Sequence, residues 1–189
     1  KQYMSHEYIE QLVANPKLLR LGGERKELTI YFSDVQGFTS ISERLSPEEL
    51  TALLNDYLSA MTDIIQEEGG TIDKYEGDAI VAFWNAPLDD NSHARNACLA
   101  ALDMRRRLAV LNAELELEAD AQGIHFQPLR MGIGINSGAC LVGNLGSQQR
   151  FNYSVIGDDV NLASRIEGLC KTYGVDILIG EATRHLIKD

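Results

Sequence analysis

Apolar side chains recur at helical spacing from the start of the chain, with Met4, Tyr8, Ile9, Leu12 and Val13 on one face of residues 4–14. Asn15-Pro16 closes that helix, because a residue before proline avoids the α region. Leu21-Gly22-Gly23 then reads as a turn into the main body. Residues 27–33 (ELTIYFS) are rich in β-branched and aromatic residues and predict a buried strand. Ser46-Pro47-Glu48-Glu49 combines an N-cap serine, a first-turn proline and acids facing the helix dipole. The helix it opens carries Leu50, Leu53, Leu54, Tyr57, Leu58, Met61, Ile64 and Ile65 as one stripe and ends at Gly69-Gly70.

Two strands follow, TIDKY and AIVAFW, separated by Glu76-Gly77-Asp78, which predicts a tight hairpin. Residues 91–118 predict a long helix capped near Asn91 or Ser92. Leu129 to Ile135 alternates as a strand, with Gly132 and Gly134 where side chains would crowd a neighbour. Short strands at 139–143 and 151–156, a helix from Gly157 to about Tyr173, a strand at 175–179 and a helix from Glu181 complete the pattern. The order strand–helix–strand–strand–helix–strand predicts an α+β fold with a ferredoxin-like βαββαβ core plus extra strands and helices. The hairpin between the second and third strands argues against a doubly wound parallel sheet.

Composition narrows the function. The chain has 189 residues, 44% hydrophobic and 24% charged, which suits a domain with a real core. Its 17 Lys and Arg against 28 Asp and Glu give a net charge of −11, so a nucleic-acid partner is not expected. A small phosphorylated ligand held by local cations and metal ions remains compatible. The 3 cysteines, Cys98, Cys140 and Cys170, are too scattered for a disulfide framework or a zinc pattern and read as small buried residues. No run of residues approaches a membrane span and no cleavable signal is recognisable. The chain opens without an initiator methionine, so it reads as part of a longer protein, with a cytoplasmic catalytic domain as the expectation. The 4 histidines are scattered, and none is paired in sequence with a nucleophile.

Asp34 stands at the end of the first strand and Asp78 at the hairpin tip. In a βαββαβ sheet the first and third strands are neighbours, so both ends can meet at one edge. Paired carboxylates there repel unless a divalent cation lies between them, and with a backbone carbonyl they suit Mg²⁺ or Mn²⁺. Taken singly, each is equally a solvated strand-end or turn aspartate. Gly37 and the amides of Phe38 and Thr39 lead toward a helix and can cradle a phosphate. Lys74, if it points inward, can donate to a purine ring nitrogen; otherwise it is a solvated lysine. Asn161 and Arg165, four apart, share a helix face and can orient a sugar and offset phosphoryl charge. As isolated residues they are a capping Asn and a surface Arg, and Arg150 carries the same ambiguity.

The blocks FSDVQGFTSISE, GGTIDKYEGDAIVAFWNAP, GIGINSGACLVGNLGS and YSVIGDDVNLASRIE, in this order and spacing, resemble the class III nucleotidyl cyclase catalytic domain from about residue 24 to the end. Residues 1–23 resemble the helix and linker that join such domains to an upstream sensor, often a membrane-anchored receptor. The resemblance implies a homodimer with shared interfacial sites, in signal transduction. It implies two metal ions per site on Asp34, Asp78 and the Val35 carbonyl. Asn161 would orient the ribose and Arg165 would stabilise the transition state, both reaching across from the opposite subunit. Lys74 matches the purine-reading lysine of adenylyl cyclases, where guanylyl cyclases usually carry Glu. Ser154 stands where many adenylyl cyclases carry Asp, and its hydroxyl can donate or accept. The family usually continues into a further strand pair bearing a triphosphate-binding Lys, and Asp189 precedes that element.

The implied activity is conversion of ATP to 3′,5′-cyclic AMP and pyrophosphate. A guanylyl or mixed-specificity cyclase is the nearest alternative, left open by Ser154. A non-catalytic nucleotide-binding dimerisation domain is another. A diguanylate cyclase shares the strand order, but its GG(D/E)EF hairpin is replaced here by Tyr75-Glu76-Gly77-Asp78.

Overall fold

The structure, a computed structural model, describes residues 9, 10, 13, 14, 22–147 and 149–188. Most of the helix expected at 4–14, with its Asn15-Pro16 stop, lies outside them; Ile9, Glu10, Val13 and Ala14 are helical. The elements run β1 (Gly22–Gln36), α1 (Phe38–Ser42), α2 (Pro47–Glu67), β2 (Thr71–Glu76), β3 (Ala79–Trp84) and α3 (His93–Ala121). They continue as β4 (Arg130–Gly146), β5 (Phe151–Ile156), α4 (Asp158–Tyr173), β6 (Ile177–Ile179) and α5 (Glu181–Ile187). The sheet order is β2-β3-β1-β4-β5, with β6 pairing β4. The first four strands give the expected βαββαβ arrangement, each pair antiparallel.

Two expectations are corrected. Gly22 and Gly23 are not a turn but the start of β1, paired with Asn144 and Gly143. The strands expected at 129–135 and 139–143 are one continuous strand, β4. Its middle, Asn136-Ser137-Gly138, looks like a turn because it is polar, yet Asn136 and Ser137 are buried. Their partners lie far away in sequence. Asn136 Nδ2 donates to the Asp159 carbonyl and carboxylate at 3.0 and 3.1 Å. The Ser137 hydroxyl lies 2.8 Å from both Thr29 Oγ1 and Thr183 Oγ1. Thr29 in turn meets His93 Nδ1 at 2.6 Å, and His93 Nε2 lies 3.1 Å from Glu27. This pairs a histidine with a hydroxyl and a carboxylate, which the sequence did not suggest. Thr29 is fully buried, so the chain of bonds joins β1, β4, α3 and α5 and presents no nucleophile.

The sheet is covered on both faces, which is why β3 reads as a continuous apolar run rather than an alternation. Tyr31, Ile80, Ala82, Trp84, Met131, Ile133 and Ile135 pack against Tyr57, Met61 and Ile65 of α2 and Ala97, Ala101, Met104 and Leu108 of α3. The Ser46 cap holds α2 in place: its hydroxyl accepts from the Glu49 amide at 3.1 Å and the Glu49 carboxylate accepts from the Ser46 amide at 3.0 Å, worth about 1 kcal/mol. On the opposite face Leu28, Ile30 and Phe83 meet Val142, Val155, Val160 and Ala163. Here the far half of the β1–β4 ribbon curls, folding β5 back until Tyr153 contacts Phe83 with ring centroids 6.0 Å apart. Strands at opposite ends of the sheet order, β2 and β5, thereby touch.

Glycine makes the seat for α4, as the spacing of Gly132 and Gly134 suggested. A Cβ on Gly134 would collide with the Glu167 amide and lie 2.7 Å from the Ala163 carbonyl, and one on Gly132 would lie 2.8 Å from Glu167 Oε1. Gly134→Ala is therefore expected to cost about 3 kcal/mol or more, since the blocking atoms are helix backbone that cannot turn aside. Urea denaturation checks this; an unchanged midpoint would mean that α4 does not bear on β4 at this point.

Candidate active site

β1 and β3 are antiparallel neighbours, and only Gly77 and Asp78 separate β2 from β3, so the hairpin tip projects beside the end of β1. Gly77 takes a left-handed φ of 60°, which lets the turn close without strain. The result is a direct bond: the Val35 amide donates to Asp78 Oδ2 at 2.7 Å. Asp34, half-buried, thus lies against the second aspartate, as expected. Burial raises the Asp78 pKa, and the Asp34 charge adds to it, while the Val35 amide pulls the other way.

A third carboxylate joins them that the sequence reading missed. Glu167 on α4 reaches back over Gly132, which pairs with Asp34 in the β1–β4 ladder. Its pKa is pushed up to about 8, chiefly by burial, then by a hydrogen bond to Asp34 and by the charges of Asp34 and Asp78. A carboxyl shifted this far favours its protonated form near neutral pH, with Asp34 as the neighbour it faces. The signal in sequence was the pair Gly132 and Gly134, which announces a close partner without naming it.

The other expected residues divide. Gly37, in the left-handed region at φ 68°, precedes α1, and the amides of Phe38 and Thr39 begin its first turn. Lys74 does not point inward; its side chain is 54% exposed and pairs with Glu76 at 3.3 Å. Burial raises the pKa of Asp73, next to Lys74, and the Ser154 hydroxyl on β5 opposes that rise. Asn161 and Arg165 share α4 and are exposed, and neither side chain has a polar partner among the described residues. Arg150 is exposed in the turn that its backbone closes with Ser147 at 2.9 and 3.2 Å. A single chain therefore assembles the carboxylate cluster and leaves the Asn, the Arg and the Lys on its surface.

Comparison with known proteins decides the relationship. Residues 23–188 match the sequence profile of the Adenylate and Guanylate cyclase catalytic domain. The chain belongs to this family. The domain is 39% identical over 165 residues to Adenylate cyclase 1 of Rhizobium meliloti (strain 1021), covering 87% of this chain but 24% of that protein. It thus spans about a quarter of that curated relative's length. Among solved structures it resembles the guanylyl cyclase Cya2, 40% identical with a TM-score of 0.78, covering 89% of this chain and 82% of that one. It also resembles the adenylyl cyclase CyaB from P. aeruginosa, 42% identical with a TM-score of 0.77, covering 89% and 84%. Among the described residues of the cyclase domain, no helix is long and apolar enough to cross a membrane.

Family membership implies a divalent metal ion, and the residues fit one. Asp34 and Asp78 offer hard anionic oxygens side by side, and the proton that Glu167 shares with Asp34 marks a spot short of positive charge. Among the described residues no group of at least three acidic, His or Cys side chains could hold an ion by itself. Substrate phosphate oxygens and water would have to complete the coordination.

The Glu167 proton has a consequence for stability. Between pH 4.5, the ordinary value, and about 8, the unfolded chain releases this proton while the folded chain keeps it. Without metal, the cyclase domain therefore loses stability as pH rises through that window. Thermal melts in EDTA across pH 5 to 9 are expected to show this decline, and Glu167→Gln should flatten it. Equal slopes for both proteins would refute the shared proton.

Proposed function

We propose that the chain is an adenylyl cyclase, closing ATP to 3′,5′-cyclic AMP with release of pyrophosphate, and that it works as a homodimer. The observation that carries this reading is the division of the site. The Asp34–Asp78 pair is assembled by the Val35–Asp78 hydrogen bond, while Asn161 and Arg165 stand exposed without polar partners on α4. A second copy would supply the missing half, and the adenylate cyclases among its relatives support the substrate class.

Asp34, Asp78 and the Val35 carbonyl would hold Mg²⁺ or Mn²⁺, two ions per site. Bound there, the ions would lower the pKa of the ribose 3′-hydroxyl and neutralise the triphosphate. The ATP 3′-oxygen attacks the α-phosphorus in line, its proton is released, and the bond to pyrophosphate breaks. Asn161 would fix the ribose so that this oxygen stays in line. Arg165 would stabilise the charge that builds on the α-phosphate, typically by about 3 kcal/mol. Gly37, with the Phe38 and Thr39 amides, would cradle phosphate oxygens, and Arg150 would meet the triphosphate from its turn. Lys74 and Ser154 would read the base. A sensor upstream of residue 23 would set the activity, and the domain would then act in signal transduction.

The similarity to a guanylyl cyclase and the presence of Ser154 make base choice the point to test. Purified chain offered ATP and GTP separately, with Mn²⁺ and then Mg²⁺, is expected to give cyclic AMP and little cyclic GMP. Cyclic GMP as the main product would overturn the base assignment. Asp34→Ala should abolish turnover and leave dimerisation intact. Mixing Asp34→Ala with Arg165→Ala chains should restore part of the activity, because one of the two composite sites regains both groups; no recovery would refute shared sites.

A further inference from the structure

α4 has no side-chain cap of its own: Gly157 stands at its N-cap and offers nothing to the first turn. The helix is fixed instead at two points, both on β4. Its middle rests on Gly134, where a Cβ would strike the Glu167 amide and lie 2.7 Å from the Ala163 carbonyl. Its start is held by Asn136, which is 2% exposed. Asn136 Nδ2 donates to the Asp159 carbonyl at 3.0 Å and to the Asp159 carboxylate at 3.1 Å. Close approach makes this possible: a Cβ on Gly138 would lie 2.1 Å from Asp159 Oδ2, and one on Gly180 would lie 2.5 Å from Asn136 Oδ1.

The two points serve different residues. Arg165 falls between Ala163 and Glu167, within the stretch seated on Gly134. Asn161 precedes that stretch and follows Asp159 by two residues, about 3 Å along the helix axis. We infer that Asn136 is a positioning residue for Asn161: by pinning the first turn of α4 to the sheet, it fixes the side-chain amide that orients the ribose. This deepens the homodimeric cyclase reading and rests on it. An uncapped first turn frays, because its leading amides lack partners within the helix. Asn161 belongs to that turn, its backbone amide bonding the Gly157 carbonyl at a long 3.3 Å. Among the described residues its side chain has no polar partner, so the backbone of α4 alone sets its place. A reacting oxygen misplaced by about 1 Å can cost about a hundredfold in rate, so the clamp bears on turnover.

The mixed dimer isolates the effect, since its one competent site takes the carboxylates from the Arg165→Ala chain and α4 from the Asp34→Ala chain. Differently tagged chains, purified as heterodimers, are compared with Asn136→Ala on either one. On the Asp34→Ala chain it should lower cyclic AMP turnover about tenfold or more. On the Arg165→Ala chain, whose α4 serves the dead site, it should leave turnover unchanged. Added to Asn161→Ala on the same chain it should cost little more, because it acts through that residue. Hydrogen exchange over residues 158–164 should quicken in Asn136→Ala without any nucleotide or metal. Asp159→Ala, which removes one of the two acceptors, should show the same asymmetry more weakly and reads the question should Asn136→Ala not fold. Equal losses for the two placements, no loss in either, a full further loss on top of Asn161→Ala, or unchanged exchange would overturn the inference while leaving the cyclase reading standing. A heterodimer with Asn136 intact that makes no cyclic AMP would overturn both.

Discussion

The β1–β4 ladder is the constraint on which the rest of the molecule depends. It runs unbroken from Gly22 opposite Asn144 to Gln36 opposite Arg130. One end delivers Asp34 beside Gly132, on the face that α4 covers. The other end bends away and carries β5. Because β1 occupies one edge of β4 from Arg130 to Asn144, the opposite edge is shared, with β6 taking residues 133–135 and β5 taking 141–146. Glycine permits the tightest approach along the ladder: a Cβ on Gly143 would strike the Gly22 carbonyl.

That framework concentrates negative charge where a fold seeking stability alone would not place it. Asp34, Asp78 and Glu167 arrive from β1, the hairpin tip and α4, and burial weakens their solvation. The protein tolerates this by keeping a proton on Glu167 and by giving Asp78 the Val35 amide. Neither device removes the electrostatic cost. A site that is destabilised in the absence of its ligand is a common sign that the ligand contributes to holding the fold together.

Much of this was legible in the sequence. The strand order, the α2 cap at Ser46 and Glu49, the tight hairpin and the meeting of Asp34 with Asp78 follow from local pattern and from the adjacency of the first and third strands. What escaped reading depends on distant partners. Asn136 and Ser137 look like turn residues, because nothing local says that Asp159, Thr29 and Thr183 will satisfy them inside a strand. Glu167 looks like any helix glutamate until α4 is seated on two glycines. Lys74 shows the opposite failing, since its motif fits a base reader while in a single chain the side chain pairs with Glu76 at the surface.

The curled ribbon also has a mechanical side. Gly23 pairs with Gly143, and Gly143 pairs with Ser154, so the beginning of β1 and the residue proposed to read the base lie in one hydrogen-bonded row. A row of this kind resists slippage, because a shift of register breaks its hydrogen bonds and turns side chains to the wrong face. Sliding the start of β1 along its axis would drag β4 and β5 with it and shift Ser154 relative to β2, which β5 touches. The ladder that builds the site is thus also a lever arm, with its handle at the first residues of β1.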